Sequence, residues 1–453
     1  MNFKRKSEKG ITLVALAITI IILIILAGVS INVLIGENGL IGREKLAKEQ
    51  YTNATIDEQE KLNELEAQLA MGQKTGLPEI TTDTEVGVQV KLPDKWATET
   101  GRYISTSTGL EVTSATKVAT VYAVSIGGGE CVPVPYGFYY VGGNLSNGVI
   151  ISDNEADKYD GTTDKTTYEY TTSLTGNQFV WIPCTTNSSD TSKTLYTKTS
   201  WGKQNAEWDT TTPKAELSQI EKYGGFYVGR YEAGLASTIT EFTTNQKHTG
   251  SNQVYNLDGV PQSKSGVVPW MFIDWTHSKA NAESMYNNNY VSSGLITGTQ
   301  WDVILNTLIN KTDLTSTDMT NSSTWGNYMN NSISYTGRLA RADYGTTNSS
   351  AWTLKPFGTL TSGTTATYSS NNGDLLTTGA SATTEKYHIY DIAGNLWEWT
   401  EEDSHYATSG QCRVLRGGCL WDASSDCPAC YRGCNSVSYT GLPVGFRAVL
   451  YIK

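Results

Sequence analysis

Residues 390–399 read YDIAGNLWEW, and two further blocks follow them, RVLRGG at residues 413–418 and GFR at residues 445–447. Between the last two blocks, residues 419–443 are dense in cysteine and short polar residues. A regular frame around an irregular interior is typical of a scaffold that carries an exchangeable surface. We therefore expect the frame to be structural and the interior to contact a ligand.

The residue types within the blocks also indicate a structural role. Gly394 permits a tight or left-handed turn, and Trp397 and Trp399 alternate as strand residues do. Arginine carries a planar fork of donors that can bind loop carbonyls or carboxylates. The predicted scaffold residues are Gly394, Asn395, Trp397, Trp399, Arg416, Gly417, Gly418, Phe446 and Arg447.

The N-terminal end predicts a membrane anchor. Residues 11–35 are uncharged and apolar, and as a helix they would be about 38 Å long, enough to cross a hydrocarbon core of about 30 Å. The basic residues Lys4, Arg5, Lys6 and Lys9 precede this segment and favour a cytoplasmic N-terminus. The rest of the chain is therefore expected outside the cell, in a single-pass arrangement.

The junction before this segment resembles the type IV prepilin leader. Lys9 and Gly10 precede Ile11-Thr12-Leu13-Val14, and the resemblance implies cleavage by a prepilin peptidase between Gly10 and Ile11. Type IV pilins usually have Phe at the first mature position and Glu at the fifth, where this chain has Ile11 and Ala15. The resemblance therefore favours processing and anchoring over assembly with other pilins. A plain signal anchor is the alternative.

The chain divides by composition into five parts. Residues 1–10 are the leader, 11–35 the transmembrane helix, 36–75 an extracellular helical stalk, 76–130 a linker and small β region, and 131–453 the main domain. The alternating runs between residues 85 and 129 fit either a separate β module or the first strands of the main domain.

The sequence pattern of the main domain predicts an α+β fold. We expect strands at residues 178–183 and 225–232, and helices at residues 278–286 and 299–310. Stretches rich in Thr, Ser and Asn at residues 185–212 and 344–385 are expected to be surface insertions.

The charge and the cysteine content limit which partners and metal sites we expect. The net charge is −11, and removal of the basic leader would leave an even more acidic chain, so we expect no nucleic-acid partner. Cys131 and Cys184 could pair with each other or with none. The other five of the seven cysteines lie between residues 412 and 434. The spacing of Cys427, Cys430 and Cys434 would suit a zinc site, but no histidine lies nearby.

The order of motifs resembles the formylglycine-generating enzyme family, also called sulfatase-modifying factor domains. Besides the three blocks above, the shared motifs are the segments at residues 225–232, 269–275 and 295–301, and the resemblance spans residues 132–451. It implies a loop-rich, C-type-lectin-like fold. In the enzymes two cysteines hold a copper ion, and the matching positions here are Asp422 and Cys427. Only one thiolate is present, whereas Cu(I) prefers soft sulfur ligands.

A second branch of this fold, the variable proteins of diversity-generating retroelements, is similar in residues 419–443. In that branch, errors at template adenines convert Asn codons to a set of residues that excludes Lys, Glu, Gln, Met and Trp. Only Trp421 in the interval lies outside that set. The residues expected to contact ligand are Cys419, Leu420, Trp421, Asp422, Asp426, Cys427, Tyr431, Cys434, Asn435, Gly441, Leu442 and Pro443.

The sequence therefore predicts a non-catalytic, membrane-anchored surface protein that binds an extracellular protein or glycan through residues 419–443. The alternatives are a formylglycine-generating copper oxidase and a minor pilin with a fixed lectin-like adhesin domain. No cofactor is expected, although the acidic run of Glu398, Glu401, Glu402 and Asp403 could bind calcium.

Overall fold

The computed structural model describes most of the chain after residue 76. The described residues are 77–96, 103–104, 111–112, 120–167, 173–201, 214–235, 258–336, 340–343, 353–356, 365–369, 375–404, 412–441 and 443–453. The predicted leader with Gly10 and Ile11, the transmembrane helix and the stalk lie outside these residues. Within them, no helix has the length and apolar character that a membrane span requires.

The described residues contain short strands and four α-helices, so the architecture is α+β and rich in strands, as the sequence predicted. The helices are α1 (Lys214–Tyr223), α2 (Trp275–Ser284), α3 (Gly298–Lys311) and α4 (Ser316–Thr320). The strands are β1 (Gln89–Val90), β2 (Tyr103–Ile104), β3 (Glu111–Val112), β4 (Val121–Gly127), β5 (Glu130–Pro135), β6 (Tyr139–Gly142), β7 (Val149–Ser152), β8 (Gln178–Thr185), β9 (Thr194–Leu195), β10 (Gly225–Gly229), β11 (Val291–Leu295), β12 (Ser332–Thr336), β13 (Ala340–Asp343), β14 (Thr353–Pro356), β15 (Thr365–Ser369), β16 (Leu375–Leu376), β17 (Glu385–Lys386), β18 (Ile389–Tyr390), β19 (Trp397–Ser404), β20 (Cys412–Arg416), β21 (Gly433–Ser436), β22 (Val444–Phe446) and β23 (Ala448–Ile452).

A seven-stranded sheet forms the centre, in the order β11-β23-β10-β8-β7-β6, with β9 paired to β8. Its middle strand β8 is buried on both faces, and its side chains alternate between two hydrophobic cores. Phe179 and Trp181 pack in one core, whereas Val180 and Ile182 pack in the other. Because successive strand residues point to opposite faces, this alternation places a core on each side of the sheet.

Different elements cover the two faces. Helix α3 supplies Trp301, Ile304 and Leu308 to one core. The other core receives residues from β1, β4 and β5, which form their own three-stranded sheet, and from the four-stranded sheet of β19 to β22. Residues 77–453 group as one compact unit, and strands β1, β4 and β5 contribute side chains to its core.

The four-stranded sheet positions the irregular segment. Its order is β21-β20-β19-β22; β20 runs antiparallel to β19 and β21, and β22 runs parallel to β19. The chain leaves this sheet at the end of β20, returns to it as β21, and returns again as β22. The two connections, residues 417–432 and 437–443, therefore lie between strands of one sheet.

The predicted helices occur, with shifted ends. The first one begins at Trp275, because the Asp274 carboxylate accepts the His277 N–H as an N-cap. The second begins at Gly298 behind a capping box of Thr297 and Gln300. The strand expected at residues 225–232 ends at Gly229.

The expectation of a surface insertion at residues 344–385 is wrong in part. Strands β14, β15 and β16 lie within it, and Leu375, Leu376 and Thr378 are buried. The Asn395 side chain accepts the Leu376 N–H at 3.0 Å and so ties the end of this stretch to the scaffold. Cys131 and Cys184 are both unbridged.

Candidate ligand-binding surface

A glycine pair begins the irregular segment. Gly417 and Gly418 follow β20 with φ of 92° and 69°, a left-handed region that side chains rarely enter. A Cβ atom on Gly418 would lie 2.0 Å from the carbonyl oxygen of Cys427. The pair therefore folds the connection back against itself, in a path that only glycine permits.

Main-chain groups then hold the first connection in place. At six points between residues 417 and 430 the backbone bonds to residues outside the segment. These bonds are Tyr328 Oη to Gly417 O at 2.6 Å, Leu420 N to Asn395 O at 3.1 Å, Met329 N to Asp422 O at 3.2 Å, Ser322 N to Ser424 O at 3.0 Å, Trp301 Nε1 to Ala429 O at 3.0 Å and Cys430 N to Met319 O at 3.3 Å. Each uses a backbone atom of the segment, so its side chains are not needed for the ties.

A buried ion cluster fixes the end of the same connection. The Asp302 carboxylate on α3 accepts Arg416 Nη2 at Oδ1, at 2.8 Å, and Arg432 Nη2 at Oδ2. Arg432 also donates to Glu402 at 3.3 Å, and Lys198 lies 3.5 Å from Glu402. The two arginines and two carboxylates are fully buried. Removing one partner of such a pair leaves the other charge buried without a countercharge, which typically lowers the free energy of unfolding by about 3–5 kcal/mol.

Two further groups of predicted scaffold residues are also buried. Asn395, with φ of 61°, donates to Glu232 at 2.6 Å and accepts the Asn327 amide at 2.9 Å. Arg447 donates to both oxygens of Glu398, at 2.6 and 3.0 Å. Each pairing joins a block recognised in the sequence to a strand or loop far away in the chain.

The remaining predicted scaffold residues divide by exposure. Trp399 is fully buried and donates to the Ile273 carbonyl at 2.9 Å, and Phe446 packs in the core. Gly394 has φ of 74°, and a Cβ there would lie 2.2 Å from the Asn327 carbonyl oxygen. Trp397 is only half-buried, and its ring meets Tyr431 edge-on with 5.8 Å between centroids.

Most of the predicted contact residues reach the surface. We call the set of fully or partly exposed ones the C-terminal face; its members are Trp421, Asp422, Asp426, Cys427, Tyr431, Cys434, Asn435, Gly441 and Pro443. Burial raises the pKa of Tyr431, and the charges of Cys427, Asp422 and Cys434 raise it further. Leu442 lies outside the described residues.

Two predicted contact residues are not on this face. Cys419 and Leu420 are buried, with exposed fractions of 2% and 1%. Leu420 packs in the core shared with β19 and β22, and burial raises the pKa of the Cys419 thiol well above its usual value. Both residues follow the glycine turn directly, which points them inward, so neither can contact a ligand in this conformation.

The copper position has a different use here. Asp422 closes a turn: its Oδ2 accepts the Cys419 N–H at 2.9 Å, and its own N–H donates to the Cys419 carbonyl at 3.0 Å. The carboxylate is thus engaged where the enzymes have a thiolate. Burial raises the pKa of the Cys430 thiol to about 11 and also raises that of Cys434.

The carboxylates considered for calcium each have a cationic neighbour. Glu398 pairs with Arg447, Glu401 with Lys279, Glu402 with Arg432, and Asp403 with Arg413 at 2.6 Å. Within the described part of the chain, no group of three His, Cys, Asp or Glu side chains is arranged to hold a metal ion.

Three residues near the C-terminal face were not expected to contact a ligand. Tyr439 is 40% exposed and Met329 is 37% exposed, and Trp397 contacts Tyr431. Met329 reaches the face because its N–H bonds to the Asp422 carbonyl. The position of Tyr439 inside residues 419–443 was a usable signal, whereas nothing in the sequence links Met329 to this region.

Comparison with solved structures gives distant likenesses. The crystal structure of CarF is 12% identical, with a TM-score of 0.26, over 51% of this chain and 87% of that chain. Treponema denticola variable protein 1 is 16% identical, with a TM-score of 0.28, over 60% of this chain and 95% of that chain. No curated protein matches the sequence.

A family comparison covers half of the chain. Residues 221–452 match the family described as "Sulfatase-modifying factor enzyme 1-like domain". The match includes β10, the helices α2 to α4, all three sequence blocks and the C-terminal face. This chain therefore belongs to the sulfatase-modifying factor enzyme 1-like domain family.

Proposed function

We propose that this chain is a non-catalytic ligand-binding protein whose C-terminal face is diversified by a retroelement to bind variable protein or glycan targets. One observation carries the proposal: at six residues the first connection is hydrogen-bonded to the rest of the domain through its own backbone atoms. Other side chains of the connection can then change without loss of these ties, whereas the side chains of Asp422 and Arg432 help to shape it. A stiff surface with exchangeable side chains binds without a large ordering cost.

The residues of the face suit recognition. Trp421, Tyr431 and the neighbouring Trp397 offer aromatic area, which interfaces commonly use, while Asp422 and Asp426 disfavour acidic partners. Arg432 lies within residues 419–443, yet its side chain is fully buried in the ion cluster. Diversification would therefore have to spare it, and its role supports a division of the segment into fixed and exchangeable positions.

The display of this face on the cell surface is part of the proposal. The prepilin-like leader would be cut after Gly10 by a prepilin peptidase, and the apolar residues 11–35 would hold the mature chain in the membrane, with the family domain outside the cell. Association with other pilins would follow only if the mature N-terminus entered a fibre.

Sequencing of the gene in sibling cells tests diversification. We expect differences confined to codons of the C-terminal face, and a near-copy of that coding region beside a reverse transcriptase gene, differing at adenines. Codon 432 should not vary, because its side chain is buried between two carboxylates. Identical sequences throughout the face in all siblings would contradict the proposal.

The copper oxidase is the competing function, since the family name refers to an enzyme. Its test uses the full-length chain and the Cys427→Ser variant, each loaded with copper and given a cysteine-containing peptide. We expect no thiol-to-aldehyde conversion by either protein, because Asp422 replaces one of the two soft ligands. Conversion by the wild type that disappears in the variant would overturn the proposal in favour of the oxidase.

A further inference from the structure

The C-terminal face is bordered by an apolar residue from another part of the chain. Met329, in the loop between α4 and β12, is 37% exposed, and its N–H donates to the Asp422 carbonyl at 3.2 Å. Two further bonds tie this loop to the face: the Asn330 side chain accepts the Ser424 N–H at 2.9 Å, and the Ser322 N–H donates to the Ser424 carbonyl at 3.0 Å. On the side of the face all three bonds use backbone atoms. Met329 therefore keeps its place when side chains of the face change.

Trp397 supplies a second apolar surface from outside residues 419–443. Its ring lies against Gly433, whose Cβ position is 3.3 Å from the ring, and its centroid is 5.8 Å from that of Tyr431. Its N–H donates to the Pro443 carbonyl at 2.7 Å. Tyr431 and Pro443 are both members of the C-terminal face, so the half-buried indole lies next to the face although it belongs to the scaffold.

The polar side chains of the face already accept hydrogen bonds from sequence neighbours. The pairs are Asp422 Oδ2 with the Cys419 N–H at 2.9 Å, Asp426 Oδ1 with the Ser425 hydroxyl at 3.2 Å, and Asn435 Oδ1 with the Ser436 N–H at 2.9 Å. These three are the carboxylates and the amide of the face. Each has therefore used part of its capacity to accept hydrogen bonds from the hydroxyl groups of a glycan.

The negative charge of the face has no exposed cation beside it in the sequence segments that form it. Asp422 is partly exposed and Asp426 is exposed. Residues 417–443 contain one basic residue, Arg432, which is buried in the ion cluster, and residues 321–331 contain no charged residue. Acidic glycans are repelled by two such carboxylates, and neutral glycans gain nothing from their charge, whereas a cation is attracted.

On the basis of the proposed function, we infer that the C-terminal face of this sequence binds a basic protein surface, and that Met329 and Trp397 contact this target together with the exchangeable residues. Ammonium or guanidinium groups of the target face Asp422 and Asp426, and a cation over the Tyr431 or Trp397 ring is further stabilised. Apolar side chains of the target pack on Met329 and the aromatic rings, residue types that are enriched in protein interfaces.

Met329 and Trp397 have a distinct role in this arrangement. Because neither lies in residues 419–443, both remain present in every sibling protein, and the exchangeable residues between them select the target. Methionine suits a constant contact of this kind, since its unbranched, flexible side chain adapts to surfaces of different shape.

Peptide selection tests the class of target. A phage-displayed library of random peptides is selected on the full-length chain in detergent, and the selected peptides are synthesised and titrated in solution. We expect peptides with a net positive charge and at least one large apolar side chain. Their affinity for Asp426→Lys should be at least about tenfold lower than for the wild type, because attraction becomes repulsion.

Asp313→Lys is the matched control for this charge reversal. It makes the same change at an exposed carboxylate that pairs with Lys386 and is not part of the C-terminal face. The control is needed because the whole chain is acidic, with a net charge of −11, and basic peptides are attracted to it at many points. We expect wild-type affinity in Asp313→Lys. Equal losses in the two variants would overturn the inference.

Met329→Ala tests the contact from outside residues 419–443. The selected peptides should bind this variant at least about fivefold more weakly, as truncation of an interface contact residue does. Leu195→Ala is the matched control, because Leu195 is also 37% exposed but lies on β9, away from the face, and it should bind as the wild type does. Unchanged affinity in Met329→Ala would overturn the inference.

A glycan array probed with the same proteins separates this inference from the proposed function. Glycans that bind the wild type and Asp426→Lys equally, or selected peptides that are neutral or acidic, would overturn the inference but leave a ligand-binding face. The absence of any selected peptide would overturn it as well. Sequencing of sibling genes judges diversification independently, because its outcome does not depend on the charge of the target.

Discussion

Gly418 and Cys427 lie at the two ends of a loop, and the Cys427 backbone leaves no room for a side chain at position 418. The Cβ position of Gly418 lies 2.0 Å from the Cys427 carbonyl oxygen, and the φ of Gly418 is 69°. Two independent costs therefore oppose any other residue at position 418. The loop between these residues carries Trp421, Asp422 and Asp426, so its shape positions three of the nine residues of the C-terminal face.

Gly418→Ala should lower the free energy of unfolding by more than about 3 kcal/mol, since it adds a backbone clash to a left-handed φ. Gly161→Ala is the matched control: its φ is 88°, and nothing lies within 4 Å of the added carbon. The control should lose only about 1–2 kcal/mol. Urea unfolding of the full-length chain measures both, and equal losses would show that the clash relaxes.

Asp302→Asn should cost about 3–5 kcal/mol, because Arg416 and Arg432 would then remain buried with Glu402 as their shared acidic partner. Asp313→Asn removes an exposed carboxylate that pairs with Lys386 and should cost less than about 1 kcal/mol. Thermal unfolding of the two variants compares them. A small loss in Asp302→Asn would mean that the cluster is not a stabilising tie.

Asp426→Tyr should change the free energy of unfolding by less than about 0.5 kcal/mol, because position 426 is exposed. Arg432→Ser, six residues later in the same connection, should cost more than about 3 kcal/mol, because it leaves two buried carboxylates with fewer partners. Circular dichroism melts of both variants measure the contrast. Similar losses would contradict the separation of exchangeable from fixed positions.

Glu216 should make stability depend on pH. Its pKa rises from 4.5 to about 7 on folding, so the folded chain holds this proton more tightly. The resulting contribution is fully present below about pH 4.5 and is lost as the pH rises towards 7. At about 1.36 kcal/mol for each pKa unit, the wild type should lose about 3 kcal/mol relative to Glu216→Gln over that window.

Urea unfolding of wild type and Glu216→Gln at about pH 5 and about pH 8 checks this prediction. The difference between the two proteins, and not the stability of either alone, isolates the group, because other carboxyl groups titrate in both. Parallel pH profiles would show that Glu216 ionises in the folded state much as it does in the unfolded one.

Local sequence patterns predicted the α+β class and the two helices that begin at Trp275 and Gly298. Gly394 and Gly418 could be recognised because only glycine fits such turns, and Arg416 and Arg447 because they belong to motif blocks. Helix ends shifted by a few residues, since Asp274 and Thr297 act as N-caps and apolar periodicity does not reveal a cap.

Burial within the irregular segment could not be predicted. Cys419 and Leu420 look exchangeable by composition, yet the turn at Gly418 directs them into the core. The buried end of the stretch at residues 344–385 was missed for a related reason. Its Thr and Ser residues bond to distant groups, as Thr378 does to the Lys264 carbonyl at 2.5 Å, and such tertiary partners leave no mark on the local sequence.

Helix α1 was also not predicted. Glu216 looks like an ordinary charged residue in the sequence, and only the structure shows that it is buried with the Tyr196 hydroxyl bonded to it.

Helix α3 anchors the first connection, residues 417–432, and this limits how that connection can be moved to another protein. Trp301 and Asp302 lie more than a hundred positions before the residues they bind, Ala429, Arg416 and Arg432. A synthetic peptide that copies only the C-terminal strands would lack both partners and would lose its shape. An engineer who moves this binding loop to a new carrier must therefore move the helix as well.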